Sequence, residues 1–199
     1  MTLTLTLPFY PVIYTAVSTG LRQAELLGLR WRDVDLDLLS ISVSQVLYKR
    51  RGVCMFKEPK TSGSSRRVAM TSKLALFLRE YKANRESLSL HLGKLLSLDD
   101  LVFTNEKGKP IDPSTLTHNF GRIVKRAGLS ARFHDLRHSY ASLMLAPGVH
   151  PKIVSEALGH STVAINLDIY GPVTPGLQEA AAKQLDSVLP VGVARAGLA

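Results

Sequence analysis

The chain has 199 residues, 45% of them apolar, which is enough for one substantial core. Lys and Arg number 25 against 16 Asp and Glu, a formal charge of +9 and a pI of about 9.8; the balance favours a polyanionic partner, although ordinary solubility also accounts for a charge of this size. The single cysteine, Cys54, excludes an internal disulfide and a cysteine-rich zinc site, and with neither a run of roughly 18 apolar residues nor a secretory leader the expected location is the cytoplasm.

The opening, "MTLTLTLPFYPVIYTAVSTG", enters a core-like segment almost at once, as expected of a piece of a longer chain; its alternating Thr and Leu read as a short strand or a ragged start. "YPVIYTAVSTGLRQAELLGLRW" predicts two helical pieces broken at Gly20, the second with a buried stripe through Leu21, Ala24 and Leu27/Gly28, and Arg22 just after the break. From Leu39 the period becomes two. "ISVSQVLYK", "VCMFKEPK" and "RRVAM" predict a three-stranded antiparallel meander, with Lys60 in its second connection, "PKTSGSS".

Helices follow. "SKLALFLREYKANRESL" puts Leu74, Phe77, Leu78 and Tyr81 on one side, and "PSTLTHNFGRIVKRAGL" does so with Leu116, Phe120, Ile123, Val124 and Ala127 before a C-cap at Gly128. Between them "LVFT" reads as a short strand. Near the end, Leu177, Ala181, Leu185 and Val188 form the stripe of a small amphipathic helix, and residues 190–199 read as a disordered tail. The predicted class is α+β, mainly helical, with one domain over residues 1–189.

The stretch "FHDLRHSY" poses a chemical choice. His134 and His138, four apart, could face a zinc ion with Asp135 in the place of a catalytic glutamate. His134 and Arg137, three apart, instead suit a phosphate. On a helix Phe133, Leu136, Tyr140, Leu143 and Met144 share the buried sector; Arg137 falls at its edge, His134 about 60° further round and His138 about 40° beyond that. Asp is one methylene too short for the metalloprotease role, and a permanent cation beside a dication is unfavourable. For this stretch alone, a helix whose His and Arg merely cap their neighbours explains as much.

Its company decides. In "GVHPKIVSEALGHSTVAINLDIYGPV", Ile153, Val154, Ala157 and Leu158 bury a short helix that stops at Gly159, and His160 follows directly. Ser161 can cap a further helix in which Val163, Leu167 and Tyr170 share a face before "GP" ends it. The four segments "TGLRQAELLGLRWRDVD", "PKTSGSSRRV", "HDLRHSYASLMLAPGVHPKIVSEALGH" and "LDIYGPV", in this order over most of residues 16 to 173, resemble the catalytic domain of tyrosine recombinases, the phage integrase family. Each motif alone is weak. Their order and separation make the set specific.

The resemblance implies a DNA breaking-rejoining fold and a site-specific recombinase whose partner is double-stranded DNA. Carried over position by position, it makes Arg22 and Arg137 the phosphate-binding pair, Lys60 the strand-turn lysine, His134 and His160 the two imidazoles and Tyr170 the nucleophile. It implies no cofactor, metal or ATP. Glu25 and Asp135 are expected to support the arginines and the fold, while Arg66 and Arg67 read equally as DNA contacts or as a solvated strand end.

The family also has an N-terminal helical domain that closes around DNA, absent from these residues, so a catalytic fragment with weak, salt-sensitive DNA affinity is expected. The amphipathic tail either packs within the chain or docks on a neighbour in a DNA-bound tetramer, with the isolated fragment a monomer. Three other readings stay open: a DNA-binding module without catalysis, a zinc hydrolase, and a type IB topoisomerase, which shares the chemistry.

Overall fold

The computed structural model describes residues 9–58, 65–91, 93–146, 149–159 and 177–189. Lys60, His160, Tyr170, the Ser161-capped helix and the stretches 1–8 and 190–199 lie outside them. The elements in chain order are α1 (Tyr10–Thr19), α2 (Gln23–Gly28), a single 3-10 turn (Trp31–Asp33), β1 (Val34–Asp35), β2 (Ser40–Ser42), β3 (Val46–Arg50), β4 (Val53–Lys57), β5 (Arg67–Ala69), α3 (Ser72–His91), α4 (Pro113–Arg126), α5 (Asp135–Leu145), α6 (Pro151–Leu158) and α7 (Leu177–Val188). The protein is mainly helical with a small three-stranded antiparallel sheet, as the sequence predicts.

The membership of that sheet differs from the expected meander. Its order is β1-β2-β5, with Ile41 between Val34 and Val68, whereas β3 and β4 form a separate hairpin. The run "ISVSQVLYK" breaks at residues 43–45 because its polar side chains are drawn to the end of α2 and to the 3-10 turn that follows it. Ser44 Oγ donates to Asp33 Oδ1 at 2.7 Å, and Gln45 Nε2 donates to the Gly28 carbonyl at 2.8 Å. Gly28 permits this approach, since a Cβ there would stand 3.0 Å from the Gln45 oxygen and the Leu47 nitrogen. "LVFT" makes only an isolated bridge at each end, Arg30 with Leu101 and Thr104 with Pro110, instead of a ladder.

The helices have a clear physical basis. Pro at the first turn and the Asp112 carboxylate, accepting from the Ser114 and Thr115 amides, start α4. Leu116, Phe120 and Val124 then bury one face of it, and Gly128 beyond its last turn takes a φ of 72°. Leu74, Phe77 and Leu78 of α3 are buried as expected, and Tyr81 packs partly buried against the same core.

Among the described residues two apolar clusters result. The larger draws on α1 to α4 and the sheet, around Leu26, Ile41, Val68, Phe77 and Leu116; the smaller joins Tyr140 and Met144 of α5, Ile153, Val154, Ala157 and Leu158 of α6, and Ala181 and Leu185 of α7. Helix α7 therefore packs on its own chain in this structure. Its Asp186 carboxylate accepts from the Ser72 and Lys73 amides at the start of α3, and Lys73 Nζ donates back to the Asp186 and Leu189 carbonyls. Each helix end thereby satisfies the other's orphan groups. The side chains of Leu177 and Val188, in the expected stripe, lie outside the described set.

The clusters meet at the break between α1 and α2, where Gly20 adopts a φ of 64° and donates its amide to the Ala16 carbonyl. A Cβ at this position would lie 2.6 Å from both Leu158 Cδ2 and Tyr140 Cδ1. Backbone strain and overlap thus act together. Gly20→Ala is expected to lose about 2–4 kcal/mol in urea denaturation; a loss below about 0.5 kcal/mol, the range of neutral surface changes, contradicts this packing.

Candidate active site

The last turn of α6 organises the site. A helix C-terminus leaves carbonyls without intrahelical donors and carries partial negative charge. Here three successive carbonyls each receive a guanidinium from a different part of the chain: Ala157 from Arg66 Nε at 2.8 Å, Leu158 from Arg137 Nη2, and Gly159 from Arg22 Nη2 at 3.2 Å. Gly159 itself is left-handed, with φ of 63°, and a Cβ on it would lie 2.8 Å from Arg66 Cδ. Only glycine combines that conformation with that contact.

Glu25 binds the arginines together from the other side. Arg66 makes a fork to it, Nη1 to Oε1 at 2.9 Å and Nη2 to Oε2 at 3.0 Å. The same carboxylate reaches back across the first turn of α2 to the Arg22 amide at 2.7 Å and to Arg22 Nη1 at 3.0 Å. Burial alone would raise the Glu25 carboxyl, but the bonds and charge of Arg66, with the Arg22 bonds, hold it below its ordinary 4.5. Its folded-state pKa is depressed, so the stability it contributes is present above the ordinary carboxylate range and is lost as pH falls through the folded value.

Arg137 lies deeper than the sequence suggests. Helical angles put it at the edge of the buried sector, yet it is 5% exposed, and its Nη1 also donates to the Gly20 carbonyl at 2.7 Å. Burial, then the repulsion of Arg22 and Arg66 across Glu25, pushes its guanidinium down to about 10. It remains a cation at neutral pH. Arg22 keeps 39% of its side chain exposed, so this arginine faces outward beside two that are enclosed.

His134 occupies the N-cap position of α5, one turn before Arg137, and its ring is exposed. His138 stands edge-on to it with ring centroids 5.5 Å apart. Burial first, then the charges of His138 and Arg137, hold the His134 imidazole below its ordinary 6.5. Asp135 turns away from this pair and accepts from the Arg132 amide at 2.8 Å and Arg132 Nη2 at 3.2 Å. It supports the turn before α5 and not Arg137. Among the described residues no group of three His, Cys, Asp or Glu side chains is arranged to hold a metal ion.

The structure therefore brings Arg22, Glu25 and Arg137 together, places His134 at the head of the Arg137 helix, and adds Arg66, which is enclosed with a side chain 8% exposed. A solvated strand end does not describe it. Arg67 is exposed and donates to Ser40 Oγ at 2.7 Å across the sheet. The role of Arg66 had one legible signal: the alternation that buries Val68 and Met70 puts Arg66 on the same side. Nearby, Gln23 Nε2 donates to the Pro113 carbonyl and Thr117 Oγ1, along an open cleft of about 420 Å³ lined also by Ser114 and His118.

Among the described residues Tyr140 packs against this centre, and burial pushes its phenol up to about 12. It is 3% exposed and suited to packing, not to attack on a ligand. For His134 the expected outcome of an NMR pH titration is a midpoint below 6.5 that rises in His138→Ala, since one repelling neighbour is removed. A midpoint above 6.5, or one that His138→Ala leaves in place, contradicts this electrostatic account.

Comparison with known proteins agrees with this architecture. The model of the phage integrase family matches residues 5–175. A tyrosine recombinase XerC-like protein of Caldanaerobacter subterraneus subsp. tengcongensis is 36% identical over 187 residues, covering 87% of this chain and 48% of the relative. ICEBs1 integrase of Bacillus subtilis is 34% identical over 182 residues, with coverages of 91% and 48%. The solved structure of the Tn1549 transposon integrase in complex with transposon right end DNA matches with a TM-score of 0.69 at 26% identity, covering 89% of this chain and 58% of that one. The chain spans about half the length of the curated relatives it matches. With this fold and this arginine cluster in place, the chain belongs to the phage integrase family of tyrosine recombinases and carries its catalytic-domain architecture.

Proposed function

We propose that this catalytic domain cleaves and rejoins double-stranded DNA at specific sites, with Tyr170 as nucleophile. The observation that carries the reading is the convergence of Arg22 and Arg137 on the end of α6, at hydrogen-bonding distance from adjacent elements of one small centre, with His134 one turn away. Two cations so held suit the charge that grows on the non-bridging oxygens of a phosphodiester under attack. Support for DNA as partner comes from the net charge of +9 and from the DNA-bound state of the Tn1549 integrase.

In the proposed step the Tyr170 phenol oxygen bonds to phosphorus and its proton passes to His134, whose pKa its surroundings hold below the ordinary 6.5. The bond from phosphorus to the 5′ oxygen breaks, and Lys60 protonates that oxygen. His160 adds a hydrogen bond to the non-bridging oxygens. The product is a 3′-phosphotyrosyl ester with a free 5′-hydroxyl. A second strand's 5′-hydroxyl reverses the attack, so the bond energy is conserved and neither metal nor ATP is required. Glu25 orients the arginines, and Arg67 is the remaining exposed candidate for a phosphate contact.

The reading extends to assembly and place. The packing of α7 on its own chain supports a monomer for the isolated chain, with a tetramer forming on DNA when that helix engages a neighbour, in the cytoplasm. The test is a nicked suicide duplex carrying a site selected by this protein from a random DNA library. A covalent adduct that resists SDS is expected for the wild type, with none in Tyr170→Phe and about a 100-fold slower rate in Arg137→Ala. Binding without any adduct contradicts the catalytic reading and supports a DNA-binding module instead.

A further inference from the structure

We propose that Arg66 is a positioning residue of this site, which acts through Glu25 and the end of α6 to hold Arg22 in its half-exposed, phosphate-ready pose. The inference rests on the strand-transfer reading above and names a residue that the reading itself does not use. Arg66 is engaged within the protein. Its side chain is 8% exposed, and Nε, Nη1 and Nη2 are all engaged, with Ala157, Glu25 Oε1 and Glu25 Oε2.

What it does follows from donor counting. Glu25 has two oxygens and lies between two arginines. Arg66 occupies both in a fork, so Arg22 is left one side-chain bond to Oε1 at 3.0 Å and one to the Gly159 carbonyl at 3.2 Å. Of the five N–H donors of a guanidinium those bonds use two, and 39% of the Arg22 side chain is exposed. Without Arg66, the buried carboxylate is free to draw Arg22 inward into a fork of its own. Arg66 also keeps the centre at three cations and one anion, which leaves net positive charge for a phosphate. Because Nε ties the residue before β5 to α6 while the fork holds Glu25 of α2, the same side chain fixes the distance between the Arg22 turn and the α6 end whose Leu158 carbonyl holds Arg137.

A lysine cannot reproduce this, because one ammonium cannot fork to a carboxylate and reach a carbonyl on the opposite side. The test uses Arg66→Met and Arg66→Lys in the otherwise unaltered chain, with folding confirmed by circular dichroism and the suicide duplex as probe. The single-turnover rate of adduct formation at saturating protein should fall about 100-fold in Arg66→Met, as for a misplaced catalytic group. DNA affinity should change little, and the slope of log affinity against log salt should stay that of the wild type. Arg66→Lys should fold and recover only part of the rate; where Arg66→Met fails to fold, Arg66→Lys carries the test.

A salt slope reduced by about 1, with weaker binding and a normal rate once bound, overturns the proposal and makes Arg66 a phosphate contact. A normal rate and affinity in both variants overturns it as well. If the wild type itself forms no adduct, the recombinase reading fails, and the positional claim is decided by nitrogen-15 NMR of the Arg22 guanidinium. Faster rotation of its Nη groups in Arg66→Lys supports the claim, and unchanged rotation overturns it.

Discussion

A buried carboxylate shared by two guanidiniums, set against the carbonyl end of a short helix, is the interaction on which the rest of this protein depends. Glu25 is 4% exposed. A charge so enclosed is tolerable only when its partners are complete, and here Arg66 and Arg22 supply them. The arginines in turn face a helix terminus whose carbonyls lack donors. Each group removes the other's desolvation penalty.

This arrangement also explains the backbone around it. Gly20 and Gly159 are the two left-handed residues beside the arginines, one offering a carbonyl to Arg137, the other to Arg22. Both sit where a side chain would collide, at Tyr140 and Leu158 in the first case and at Arg66 in the second. The apolar clusters on either side bring α1, α2 and β5 against α5 and α6, so the burial of Leu26, Val68, Tyr140 and Ile153 sets the positions of cations that are far apart in sequence. Stability and the placement of the arginines are thus written into the same few contacts.

Much of this was legible beforehand. Periodicity located α3 to α6, the Gly20 break and the Gly159 stop, and the motif order located Arg22 and Arg137. What escaped is non-local. The pairing of β2 with β5 instead of β4 with β5 follows from Ser44 bonding to Asp33 of the 3-10 turn and Gln45 to the α2 end, contacts that no alternation pattern encodes. The depth of Arg137 follows from its carbonyl partners at Gly20 and Leu158, which the helical wheel does not contain. Arg66 read as a surface cation because a charged residue next to a serine-rich turn usually is one; alternation with Val68 and Met70 hints at its enclosure, but its partners are visible only once β5 and α6 are adjacent.

The most direct measure of the central interaction is a double-mutant cycle between Glu25→Gln and Arg66→Met, read as unfolding free energy in urea at neutral pH. Each single change leaves a buried charged partner behind, so the double variant should be less destabilised than the sum, with a coupling of about 2–3 kcal/mol. Additive effects, with a coupling below about 0.5 kcal/mol, would mean that the two side chains do not depend on one another, and the account of the arginine centre would not stand.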